Sequence, residues 1–117
     1  MEDFSIELVK KLAREGALGG SAFVHERLPN AEVLYVFGDV DLLESRRLDH
    51  EILQASRGEA KLLTIDLEFC SYIDFGGINV LVRSKKRLRE RLELWSPKGT
   101  PVRRVLEIAG LSRLLAG

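Results

Sequence analysis

Two short segments hold the residue types from which a site could be built: Gly38-Asp39-Val40-Asp41 and Asp74-Phe75-Gly76-Gly77. In each, an aspartate stands just ahead of a helical apolar pattern, where its carboxylate can accept a hydrogen bond from the free amides of the first turn. Those amides, at the positive end of the helix dipole, also favour an anion, and the paired glycines let another chain approach the backbone closely. Neither segment supplies a nucleophile with a base and oxyanion donors, so covalent catalysis has no starting point. His25 and His50 have no acid, base or nucleophile at a useful spacing. Cys70 is the only cysteine, which excludes an intramolecular disulfide and any CxxC or Cys/His zinc pattern. No catalysis, no metal and no cofactor is therefore expected.

Each candidate also has a plainer reading. Asp41 and Asp74 serve equally as structural caps, each contributing ~1 kcal/mol, and Asp39 is the weaker candidate of the three. Phe75 is either an exposed anchor for a partner's pocket or a ring folded over the core. The run from Arg83 to Arg91 is strongly basic. It reads as a solvated helix face whose cations suit the negative end of the dipole. Cys70 reads as a buried structural thiol, and Ser71 and Ser84 are weak candidates for phosphorylation.

The elements that must position these residues follow from the periodicity. Phe4, Leu8 and Leu12, with Val9 and Ala13 beside them, form the stripe of a short helix over residues 4–15. Glycines 16, 19 and 20 then make a hinge before an edge strand over 22–27 and a turn at 28–31. Residues 32–37 are apolar on both faces, with Val33, Tyr35 and Phe37 on one and Leu34 and Val36 on the other, as in a central strand that ends at Gly38. Asp41, three residues before Glu44, opens a helix over 42–56 with Leu48, Ile52 and Ala55 inward. A second central strand covers 61–67, and a connection leads to Ile73. A helix over 75–91 follows, with Ile78, Leu81, Val82 and Leu88 inward, then a short strand over 92–96. Thr100 as N-cap and Pro101 at N1 start the last helix, whose stripe is Val102, Val105, Leu106 and Ala109 and whose stop is Gly110. Strands that alternate with helices need crossovers to parallel neighbours, so the class is α/β.

With 117 residues, one core is expected. The 18 Lys and Arg balance the 18 Asp and Glu, which removes any long-range pull toward nucleic acid. No apolar run approaches the ~18 residues of a membrane span, so no direct membrane insertion is expected. The single cysteine and the acidic, unsignal-like start MEDFSIELVKK fit the cytoplasm.

Three stretches in order resemble the STAS domains of anti-sigma factor antagonists: GDVDLLESRRL, LTIDLEFCSYIDFGGINVLV and SPKGTPVRRVLEIAGLSRLL. Together they span roughly residues 22 to 115. The resemblance implies a STAS fold, a mixed sheet of an N-terminal hairpin plus parallel strands flanked by helices. It divides the chain into an N-terminal amphipathic helix and hinge at 1–20 and a STAS domain at 21–117. It also implies a protein partner, either a serine kinase that is also an anti-sigma factor or another STAS protein. Asp41 matches a loop aspartate implied in partner recognition, and Asp74 matches the aspartate before the family's phosphorylated serine. At the serine's own position stands Phe75, followed by Gly76 and Gly77. A phenyl ring has no oxygen to phosphorylate and no charge to imitate phosphoserine, so the usual switch is expected to be lost. The second reading is an accessory subunit of a lipid or anion transport system.

The chain departs from the family at both ends. Family members usually continue past the Gly-Leu ending with a further strand and helix, whereas the segment at 4–12 is an addition at the front. That segment is expected either to cover the surface left bare or to exchange between two chains as a homodimer contact.

Overall fold

The computed structural model describes residues 5–17, 20–58 and 61–115. Its elements in order are α1 (Ile6–Arg14), β1 (Ala22–Leu28), β2 (Ala31–Val40), α2 (Leu42–Ser56), β3 (Leu62–Asp66), β4 (Cys70–Ile73), α3 (Phe75–Leu88), β5 (Leu92–Trp95) and α4 (Pro101–Ile108). Short 3-10 turns follow α3 at Arg89–Arg91 and α4 at Ser112–Leu114. Among the described residues, no helix is long and apolar enough to cross a membrane.

β1 and β2 form an antiparallel hairpin closed by Pro29 and Asn30, with Leu28 opposite Ala31 and Ala22 opposite Phe37. β3 pairs in parallel with the first half of β2 and with β5, giving the order β1-β2-β3-β5. Past the reach of β3, the end of β2 takes β4 as its parallel partner. The sheet is therefore mixed, as a hairpin followed by crossovers requires.

The alternation along β2 separates two apolar clusters. Leu34, Val36 and Val40 belong to the larger, which also takes Leu48, Ile52 and Ala55 from α2, Ile78 and Leu81 from α3, and Val102 and Leu106 from α4. Covering a side chain such as Ile52 or Leu81 stabilises the fold by about 1.5–3 kcal/mol before entropy is subtracted. Tyr35 and Phe37 face the other way and meet Val9 of α1, with Phe69 stacked on Phe37 at 5.3 Å. Lys10 lies over the Tyr35 ring and Arg14 over that of Phe69, so α1 closes the second face with cation–π contacts as well as Val9.

Several expectations need correction. The buried face of α1 is Ile6, Val9 and Ala13, while Leu8 is 52% exposed. Phe4 and Gly19 lie outside the described residues. Gly38 does not end β2 but sits at a register shift, and the strand continues to Val40. Its φ is +85°, and a Cβ there would stand 2.6 Å from the Gly20 carbonyl oxygen, so glycine keeps the strand running under a crossing chain. The connection to Ile73 contains a strand, β4, that periodicity did not indicate. α3 stops at Leu88, and the tail expected to remain α-helical to Arg91 tightens into a 3-10 turn entered through Arg89 at φ +55°. On α4, Val105 and Ala109 face outward.

Candidate docking face at the paired helix starts

The two segments singled out by chemistry meet because their strands do. Val40, the last residue of β2, is the register partner of Ile73, the last of β4, so α2 and α3 leave the sheet side by side. The Asp74 amide donates to the Val40 carbonyl at 3.0 Å, which fixes one helix start against the other. Asp41 Oδ1 accepts from the Glu44 amide at 2.9 Å, and Asp74 Oδ1 accepts from the Gly77 amide at 3.1 Å. Both aspartates are therefore N-caps. The Glu44 carboxylate is engaged by Arg47 Nη1 at 2.8 Å.

Glycine is dictated by packing at both positions after Phe75. A Cβ on Gly76 would lie 2.8 Å from Ser45 Oγ, because the first turns of α2 and α3 touch there. A Cβ on Gly77 would lie 2.5 Å from Ile73 Cγ1 and 3.0 Å from Val40 Cγ1. The glycines thus let α3 settle onto the ends of β2 and β4.

Phe75, by contrast, is at N1 of α3 and 85% exposed. Its ring is not part of the core. It borders an apolar groove of about 460 Å³ between the start of α3 and the outer side of α4, lined by Tyr72, Ile78, Val105, Ile108 and Ala109. Tyr72 is 53% and Ile108 75% exposed. Among the described residues, the one carboxylate in the lining is Asp74, whose Oδ1 is already held by the Gly77 amide. A face of this kind can bury aromatic and aliphatic surface against a partner, and its one acid is occupied as a cap.

Sequence reasoning passed over Tyr72 and Ile108 and placed Val105 and Ala109 inward. The available signal was the width of the apolar arc on α4. Val102 and Leu106 are buried and fill the core, so Val105, Ile108 and Ala109 exceed what one inward stripe requires.

A second depression, of about 500 Å³, lies on the α1 side of Asp41 and includes Ser21, Asp39, Glu44 and Ser71. Among the described residues, its titratable lining is carboxylate only. Among the described residues, no group of three His, Cys, Asp or Glu converges to hold a metal ion. Burial pushes the Cys70 thiol up to about 11, so it is a protonated packing group.

His25 has a role its spacing did not show. Nδ1 lies 3.0 Å from Glu32 Oε2 across the hairpin, and Nε2 lies 2.5 Å from Glu51 Oε1 on α2. The ring ties β1 to α2 and takes no part in the groove. The basic segment at the end of α3 is largely solvent-facing, and Lys85 Nζ donates to the Arg89 carbonyl at 3.0 Å.

A hairpin-plus-parallel sheet with two capped helices rising together, and an apolar groove beside them, makes this an α/β domain with a mixed sheet. The family model described as Mlab, STAS domain matches residues 24–116, and the chain belongs to the STAS family. Among solved structures, it is similar to an anti-sigma factor antagonist from Mycobacterium paratuberculosis, with a TM-score of 0.73 and 18% identity over 82% of this chain and 83% of that one. It is also similar to the anti-sigma factor antagonist SpoIIAA in its unphosphorylated form, with a TM-score of 0.65 and 24% identity over 81% and 86% of the two chains. SpoIIAA of Bacillus in the phosphorylated form gives 0.63 and 22% over 81% and 89%. A comparison with curated proteins gives no match.

Proposed function

We propose that this chain is a noncatalytic protein-docking module, resembling an anti-sigma factor antagonist, whose binding face is not switched by phosphorylation at the start of α3. The observation that carries the proposal is Phe75, an exposed aromatic ring at N1 beside an apolar groove, at the position that the sequence resemblance matches to the family's phosphorylated serine. SpoIIAA has been solved in phosphorylated and unphosphorylated forms. Here the corresponding side chain offers no hydroxyl. A phosphate placed at this helix start would add ~2 negative charges beside Asp74, whereas Phe75 adds none.

On this reading, Phe75 is the anchor, and Gly76 and Gly77 hold it in place by letting the first turn of α3 pack closely on Ser45, Ile73 and Val40. Asp41 and Asp74 hold both helix starts in place and offer their remaining carboxylate oxygens at the rim. The partner is a serine kinase/anti-sigma factor or another STAS protein. The test is incubation of the purified chain with a serine kinase recovered as its partner, with ATP, followed by intact mass. An unchanged mass with binding retained supports the reading; a stoichiometric phosphate at any residue shows that the switch has moved.

A second reading, an accessory subunit of a lipid or anion transport system, is supported by the apolar character of the groove. Permanent interfaces are more hydrophobic than switched ones. Co-purification of a transporter ATPase in place of a kinase would select it.

A further inference from the structure

Phe75 and the groove beside it form a knob and a hole on one face of one molecule. A two-fold axis passing between two copies would bring each Phe75 to the groove of the other, using the same residues twice. We infer that, without its partner, the protein associates reversibly with a second copy through this face, so that the docking anchor is masked until a partner displaces the copy. This rests on the docking reading of the preceding subsection and adds its regulation.

The dimensions support a weak contact. Phe75 is 85%, Ile108 75%, Tyr72 53% and Val105 39% exposed, and all four border the groove. Covering them in both copies removes on the order of 1,000 Å² from water, the lower limit for a specific interface. Association of that size costs translational and side-chain freedom that offsets most of the burial, so the dimer is weak and reversible. The formal charges of the chain cancel, so no net repulsion opposes the second copy. The second sheet face needs no such cover, because α1 already lies on Tyr35 and Phe37.

Sedimentation velocity across roughly 1 to 300 µM tests the inference. The wild type should pass from monomer to dimer. Phe75→Ala removes both knobs and Ile108→Asp charges both holes, so each alone should remain monomeric at the highest concentration. Both side chains are exposed, and circular dichroism of each variant should match the wild type. An equimolar mixture of the two variants restores one Phe75-in-groove contact per pair, and at the highest concentration should show more association than either variant alone. A monomeric wild type at all concentrations would overturn the inference while leaving the docking reading intact. So would a dimer that survives both variants, whose contact would then lie elsewhere, on α1 for instance. Partner binding that fails to dissociate the dimer would overturn the masking role.

Discussion

Gly77→Ala probes the packing that sets the helix pair. A methyl group at this position would lie 2.5 Å from Ile73 Cγ1, 2.9 Å from Ile73 Cδ1 and 3.0 Å from Val40 Cγ1. Ile73 is 4% and Val40 0% exposed, and each terminates a strand, so neither side chain has free space to move into. Overpacking of a filled core costs about 1–3 kcal/mol, and separations this short point to the upper end. Against this, replacing glycine by alanine in a helix gains up to about 1 kcal/mol. The strain wins, for a net loss of about 2 kcal/mol. In a domain of this size that lowers Tm by roughly 8 °C. Chemical denaturation with thermal melts would read both values. Displacement of the α3 start should also stretch the 3.1 Å bond from the Gly77 amide to Asp74, visible as faster exchange of that amide. An unchanged or raised Tm would show that α3 does not sit on the strand ends as described.

The remaining tests address neighbouring features. Gly76→Ala meets a more yielding obstacle, Ser45 Oγ at 2.8 Å, and should cost about 1 kcal/mol. In a Ser45→Ala background the penalty should shrink by about 0.5–1 kcal/mol, and additivity would deny the contact. Burial raises the pKa of Asp66 in the fold above its ordinary value of 3.8. Its charge therefore costs stability that is absent below the unfolded pKa and grows as pH rises through the folded value. Asp66→Asn should accordingly be neutral to stabilising at pH 7 relative to wild type, with the advantage vanishing toward pH 3; the opposite trend in urea melts would contradict the burial. With the Cys70 thiol near 11, about one molecule in a thousand holds a thiolate at pH 8. A thiol-reactive disulfide reagent should leave the native chain unmodified for minutes and label it at once in denaturant.

How much of this was legible in the sequence depended on how local each cause is. The bounds of α2, Leu42–Ser56, were readable because Asp41 and the apolar stripe are both local signals, and Thr100 with Pro101 marked the start of α4 in the same way. The two-faced pattern of β2 correctly anticipated cores on both sides. For α1, two stripes fit a 3.6 period almost equally, and the rings of Tyr35 and Phe37 selected the one centred on Val9. β4 is four residues long and only Cys70 and Ile73 are buried, too short to display an alternation. Gly38 read as a stop because its punctuation is local, whereas the crossing of Gly20 above it is not. The neighbourhood of Asp41 and Asp74 is set by the pairing of β2 with β4, whereas that each opens a helix was legible from the apolar patterns that follow them. The groove was not, since it is made by placing the outer side of α4 beside Phe75, and the bridge from His25 to Glu51 spans β1 and α2 in the same non-local way.

The most direct measurement of the docking claim is the affinity of Phe75→Ala for the protein partner recovered from native cells, by titration calorimetry beside the wild type. Loss of a buried aromatic anchor should weaken binding by about 1–3 kcal/mol, a drop of roughly 5- to 150-fold, with Tm unchanged because the ring lies outside the core. Equal affinities for the two proteins would contradict the assignment of the Phe75 face as the docking surface.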